Sequence, residues 1–341
     1  MTATGLADGD IPAYWRALGL PGLADIHIHF LPQPMLDKVW AYFDEGERNY
    51  GLAWPVHYRL SEPERLELLR QFGVRAIPSL AYPHKPGMAQ WLNDWCTDFA
   101  QRVPEAVHSA TFFPEDGVGD YVRAAVEGGA RLFKMHVQVG VFRPDDALLE
   151  PAWGVLEDAQ VPVVLHAGSA PKPGKFTGPG PVRALLRRHP RLVLVIAHLG
   201  MSEYHEFADL AGEFTGVHLD TTMAGTDYVE RIAPLPKDYL PRLADLGDKV
   251  VLGSDFPNIP YPYAHQLEAL DRLDLGDDWL RAVLWRNGAR LMGLPLSPTD
   301  RSSGSSLTSW ASLRRAHLCD AIALSSSTGR ARTRSIGLRH G

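Results

Sequence analysis

The sequence predicts an α/β fold, a (β/α)8 TIM barrel followed by a disordered C-terminal tail. From Leu23 to Pro257, short runs rich in Val, Ile, Leu and Phe alternate with longer stretches of helical spacing, which is the pattern of βα units. There are eight such runs, and eight parallel strands, each followed by a helix, in about 250 residues is the arithmetic of this barrel. Beyond Pro298 the composition changes to Ser and Arg, which cannot bury enough apolar surface to order itself.

The runs fall at 23–29, 74–80, 107–113, 131–137, 161–167, 192–199, 216–223 and 249–255. Between them lie local helix signals. Ser61-Glu62-Pro63-Glu64 reads as a capping box, and Gly128-Gly129 closes the helix after the third run. An open doubly wound sheet is the runner-up, but no Gly-rich phosphate turn follows the first run. Two connections are too long to be mere links. Residues 30–60 hold Trp40, Tyr42, Phe43, Tyr50, Trp54 and Tyr58, and residues 169–181 are dominated by Gly, Pro and Lys. Both follow a strand, so both are expected as walls or lids on the C-terminal face. The domain reading is an N-terminal extension (1–22), the barrel (23–296) and the tail (297–341).

The chain has 341 residues, of which 45% are apolar and 22% charged, so a disordered or fibrous protein is excluded. With 34 basic and 40 acidic groups the net charge is -6, which provides no footprint for nucleic acid or an anionic membrane. The longest strongly apolar run, Leu192 to Ala197, is far shorter than the roughly 20 residues a membrane span needs. The start, MTATGLADGD, has neither the basic nor the apolar region of a signal peptide. Only Cys96 and Cys319 are present, so no disulfide framework is expected and the cytoplasm is the default compartment. Cys96 shares an apolar helix face with Leu92 and Phe99 and reads as a small buried hydrophobe. The expected partner is a small-molecule substrate, without nucleic acid or membrane, and a homodimer is allowed.

The informative residues are histidines and an aspartate. His27 and His29 are two apart on the first run and therefore share a face, which in a barrel is the interior. His166 closes the fifth run, His198 the sixth and Asp255 the eighth. Residues at the C-terminal ends of several barrel strands converge on one point, and uncompensated imidazoles on apolar strands would be costly to bury. Imidazole nitrogens with one carboxylate suit a divalent metal of borderline softness, and three or four protein ligands with an open position describe a catalytic site. Such a metal would bring the pKa of a bound water toward about 7. Asp255 is placed to take that proton and pass it to a leaving group, and His198 to orient the water or stabilise an oxyanion.

Four motifs carry a family resemblance: Asp25-Ile26-His27-Ile28-His29, Leu165-His166-Ala167-Gly168, Ala197-His198-Leu199-Gly200 and Gly253-Ser254-Asp255-Phe256-Pro257. With the closing stretch Trp285-Arg286-Asn287-Gly288-Ala289-Arg290-Leu291, the sequence from about Leu23 to Leu294 resembles the amidohydrolase superfamily. The likeness is to its second family, metal-dependent TIM-barrel hydrolases related to aminocarboxymuconate semialdehyde decarboxylase. The resemblance implies His27, His29, His166 and Asp255 as metal ligands, with Asp255 and His198 catalytic. The fourth run adds Lys134 and His136 on one face. A lysine there resembles the hydrolase members, so Lys134 and His136 are expected to bind substrate. The alternatives are a buried pair of Lys134 with an acid such as Asp25, and a carbamylated Lys134 bridging two metals.

The expected function is therefore hydrolysis of an amide, lactone or ester of a small carbonyl or carboxylate-containing compound, using one divalent ion. Zinc is the first expectation for that ion, with Mn2+ or Fe2+ next. Nonoxidative decarboxylation of an unsaturated or aromatic acid is the enzymatic alternative, and a metal-bearing but silent binding protein is the alternative outside catalysis. His57, Arg59, Arg48, Lys172, Lys175, His84 and His205 are weaker candidates by loop position, and Asp220 is expected to support the ligands without joining them.

Overall fold

The computed structural model describes residues 5–296; the 297–341 tail lies outside the described residues. Strands Leu132–His136, Val163–His166, Leu194–Ile196, Val217–Asp220 and Val250–Val251 follow Ser109–Thr111 in one six-stranded parallel sheet, in chain order. Ile77–Pro78 and Ala106–Val107 form a two-stranded parallel pair beside it. The chain is a TIM barrel, and apolar residues facing both the interior and the outer helices explain the continuous Val and Leu runs.

The first predicted strand departs from regularity. Residues 23–29 make only isolated bridges, Leu23 with Val74 and Ile28 with Phe256. Their backbone nevertheless closes the ring. Leu23 N–H donates to Gly73 and Leu80 N–H to Ile28 on one side, while Ile26 N–H donates to Leu252 and Asp255 N–H to His27 on the other. The segment stands where a strand belongs without an unbroken ladder.

The helices obey their local signals. Glu62–Phe72 begins with the predicted box, in which Ser61 N–H donates to Glu64 Oε2 at 2.8 Å. Val118–Glu127 ends at Gly128, followed by Gly129 at φ 95°. Cys96 is fully buried, and burial pushes its thiol up to about 12. Residues 1–22, expected as an extension, include a helix, Ile11–Ala17, whose Trp15 is buried and donates to Phe72 O at 3.0 Å. Among the described residues no helix is long and apolar enough to cross a membrane.

Candidate active site

The C-terminal ends of the strands converge as the sequence implies. His136 and His166 are the last residues of their strands and are direct register partners. His27 and His29 are buried, with ring centroids 5.1 Å apart. Backbone pairing of His27 and His29 with the 255–256 segment sets Asp255 against them, its Oδ1 being 2.8 Å from His29 Nε2 and 3.7 Å from His27 Nε2. His27, His29 and Asp255 are a three-residue group whose potential ligand atoms lie within 4.8 Å of one another.

The other nitrogen of each imidazole is already committed. His27 Nδ1 is 2.9 Å from Asp220 Oδ2 and 3.1 Å from Thr222 Oγ1, and His29 Nδ1 is 2.6 Å from Leu80 O. An N–H directed to these oxygens puts the lone pair of each imidazole on Nε2, which is the tautomer a metal ligand requires, and on His27 that lone pair faces Lys134 Nζ. Burial holds His27 down to about 3, with Lys134 acting in the same sense and Asp220 against it, so the ring is neutral. Burial alone would raise Asp220, but His27 and the His198 backbone N–H hold it below the usual carboxylate range. Asp255 is likewise held low against burial by His29 and His27. Two imidazoles, each with its Nδ1 engaged from behind, and an ionised carboxylate on their Nε2 side fit a divalent ion.

Asp25 holds this floor together from beneath. Its carboxylate accepts from Tyr263 Oη at 2.8 Å, His27 N at 3.0 Å and Ser254 N at 3.2 Å, tying the first stave to the eighth. Lys134 is therefore not paired with Asp25. Its Nζ lies 2.8 Å from His27 Nε2, and burial lowers its pKa to about 8 while Asp220 and Asp255 oppose the shift.

His166, expected as the fourth ligand, stands outside the three-residue group. Its register with His136 stacks the two rings at 3.9 Å and 15°, and its centroid is 4.6 Å from that of His198. His198 does not end a strand. Its strand stops at Ile196, and His198 and Leu199 turn through left-handed geometry, φ 58° and 54°. Burial depresses His136, His166 and His198, so this cluster is neutral.

All seven predicted residues line one cavity of about 530 Å3. Of the weaker candidates, His84 reaches its rim; His57, Arg59, Arg48, Lys172, Lys175 and His205 do not line it. Arg59 instead pairs with Asp44, and His205 lies 3.4 Å from Asp238. Sequence reasoning missed the bracing role of Asp25, together with the wall residues Met201, Met223, Val229 and Ile232. Only the spacing of Asp25 from the His-x-His pair offered a signal.

The TIM barrel thus carries at its C-terminal mouth a buried His-x-His pair and a carboxylate that together could hold a metal ion. The amidohydrolase-2 family model, described as Amidohydrolase, matches residues 24–294, and the chain belongs to that family. A search of curated protein sequences found no match. Among solved structures the chain is similar to an uncharacterised TIM-barrel protein from Bordetella bronchiseptica, with TM-score 0.63 and 18% identity over 78% of this chain and 97% of that one. A candidate 2-pyrone-4,6-dicarboxylic acid hydrolase from Pseudomonas putida gives TM-score 0.54 and 17% identity over 82% and 100% of the two chains. A 5-carboxyvanillate decarboxylase from Novosphingobium aromaticivorans, complexed with manganese, gives TM-score 0.52 and 13% identity over 80% and 96%. At these identities the likeness concerns the fold.

Proposed function

We propose that the chain is a metal-dependent hydrolase that cleaves an amide, lactone or ester. The observation that carries this reading is Asp255, whose carboxylate faces Nε2 of both His27 and His29 on the floor of a cavity large enough for a small molecule. His27, His29 and Asp255 would hold one divalent ion, with His166, in the same cavity, as the candidate fourth ligand. Zinc suits two imidazoles and a carboxylate, and manganese is the second choice. The ion supplies Lewis acidity, making water more acidic and polarising a carbonyl oxygen.

The chain's own groups supply the rest. The Asp255 carboxylate, ionised and directed into the cavity, takes the proton of the attacking water and returns it to the leaving group. His198, neutral and in the same cavity, orients that water or donates to the developing oxyanion. Lys134, fixed beside His27, and His136 face the carbonyl side of the substrate.

The test is elemental analysis of purified protein followed by a screen of lactones, amides, esters and carboxylic acids, with released carbon dioxide measured in parallel. One equivalent of metal per chain and hydrolysis without carbon dioxide are expected. Carbon dioxide release without water addition would replace hydrolysis by decarboxylation. Two equivalents per chain, lost in Lys134→Ala and partly restored by short carboxylates, would replace the single ion by a bridged pair.

A further inference from the structure

The cavity has two unlike ends. Its floor gathers the imidazoles, Lys134 and Asp255, whereas its walls are mostly apolar and aromatic, with Lys38, His84, Gln138 and Asn258 as the polar exceptions. On one side the long first connection, which contains helices Gln33–Asp44 and Gly46–Tyr50, presents Phe43, Tyr50 and Trp54. These rings brace one another, with Phe43 stacked on Trp54 at 5.2 Å and 23° and Tyr50 5.3 Å from Trp54. The indole N–H of Trp54 is used up by Asn258 O at 2.7 Å, and the Asn258 side-chain oxygen accepts from Trp40 Nε1 at 3.1 Å. Tyr228 packs edge-on against Trp54 and donates its hydroxyl to Ala53 O, fastening this wall to the connection after the seventh strand. That connection adds Met223, Val229 and Ile232 to the lining.

The charges are as telling as the rings. Among the described residues no arginine lines the cavity. Its only lysine besides Lys134 is Lys38, which is exposed and also borders a shallower groove outside. A carboxylate carried into the upper cavity would lose water and meet no bidentate partner, and a buried unpaired charge is strongly disfavoured. Apolar substrate surface gains there instead.

We infer that the substrate is a carbonyl compound whose non-reacting portion is uncharged and apolar, and that the Phe43–Trp54 wall and the Met223–Ile232 wall select it by size and against charge. This rests on the hydrolase reading for the reacting bond, but not for the part of the molecule the walls hold. It separates this chain from an enzyme for a dicarboxylic pyrone, which must accommodate two carboxylates.

The experiment uses the full-length, metal-loaded protein in two independent arms. In the first, kcat/KM is measured for p-nitrophenyl esters and γ-lactones with alkyl chains from two to ten carbons, and for 2-pyrone-4,6-dicarboxylic acid beside its uncharged dimethyl ester. A rise of about three- to fivefold per added methylene is expected until the cavity fills, with the dimethyl ester preferred to the diacid. In the second, n-alkyl carboxamides and alkyl dicarboxylates are titrated calorimetrically, which needs no turnover. Affinity for the amides is expected to climb with chain length, and the dicarboxylates are expected to bind at least tenfold more weakly.

Ile232→Arg, at a half-buried wall position, should flatten the chain-length dependence and improve the diacids, provided its metal content and melting match the parent. Phe43→Ala gives a second probe of the wall, expected to weaken long chains more than short ones. Apolar ligands that bind without being hydrolysed would reject the hydrolase reading and leave this inference standing. A flat chain-length dependence, or a diacid that binds or reacts better than its diester, would overturn the inference whatever the reaction.

Discussion

Asp220→Asn is the substitution that most directly probes how the donor set is prepared. The native carboxylate accepts from His27 Nδ1 through Oδ2, while Oδ1 accepts from the backbone N–H groups of His198 and Thr222 at 2.9 and 3.1 Å. An amide cannot fill both roles. If its oxygen keeps the two backbone donors, its NH2 faces His27 and drives the imidazole proton to Nε2, the nitrogen facing Asp255. If it is flipped, two backbone donors meet an NH2 in a buried site. Loss of an orienting partner of this kind costs about 10- to 100-fold in metal affinity. The unfavourable hydrogen bonding should also remove about 1–3 kcal/mol of stability from the metal-free protein. Affinity is read by competition with a chromogenic chelator, and stability by urea unfolding of the stripped protein. Thr222→Val, which deletes the longer of the two contacts to His27, should weaken metal binding by less. A D220N protein with unchanged metal affinity and a normal urea midpoint would refute the assignment of His27 as an Nε2 donor held from behind by Asp220.

Three further outcomes follow from the same geometry. His198→Ala should retain metal yet slow turnover by about 100-fold; metal lost in step with activity would make His198 a ligand. Gly253→Ala should destabilise the fold by about 1–3 kcal/mol in denaturant titration and disturb metal binding, because its new Cβ would lie 2.3 Å from Thr222 Oγ1 and 3.0 Å from Asp220 Cγ. Unchanged stability and affinity would show that this approach is not constrained. Cys96, buried with its thiol pushed up to about 12, should resist iodoacetamide at pH 8 in a Cys319→Ser background until the protein is unfolded. Rapid labelling of the native protein would show that its helix opens readily.

The eight runs and the shared face of His27 and His29 were legible because both are local. A strand buried on two sides needs continuous apolar residues, and side chains two apart face the same way whatever lies elsewhere. The Ser61 box and the Gly128 stop were legible for the same reason. His166 was harder to place because its position depends on pairing with His136, thirty residues upstream, and register is not readable from either strand alone. The support given to His27 by Asp220 spans 193 residues. Asp25 illustrates the same limit from the other side. Its spacing from the histidines was plain, but its partners Ser254 and Tyr263 come from the far end of the chain.

The departures at His198, Leu199 and Asp255 have a different origin. All three adopt left-handed backbone geometry, with φ of 58°, 54° and 70°, which costs a non-glycine residue of order 1 kcal/mol or more. Local preference would continue the sixth strand to His198, and it would not place a sharp turn at Asp255. Tertiary contacts offset the cost. Asp220 accepts the His198 N–H at 2.9 Å, and His27 O accepts the Asp255 N–H at 2.8 Å. At His198 and Asp255 the disfavoured conformation therefore answers to a partner on a different stave, and each of these two directs a polar side chain into the same cavity. A chain relieved of this strain by more regular strand ends would point His198 and Asp255 elsewhere, so the backbone least expected from local sequence is what brings the separate motifs together.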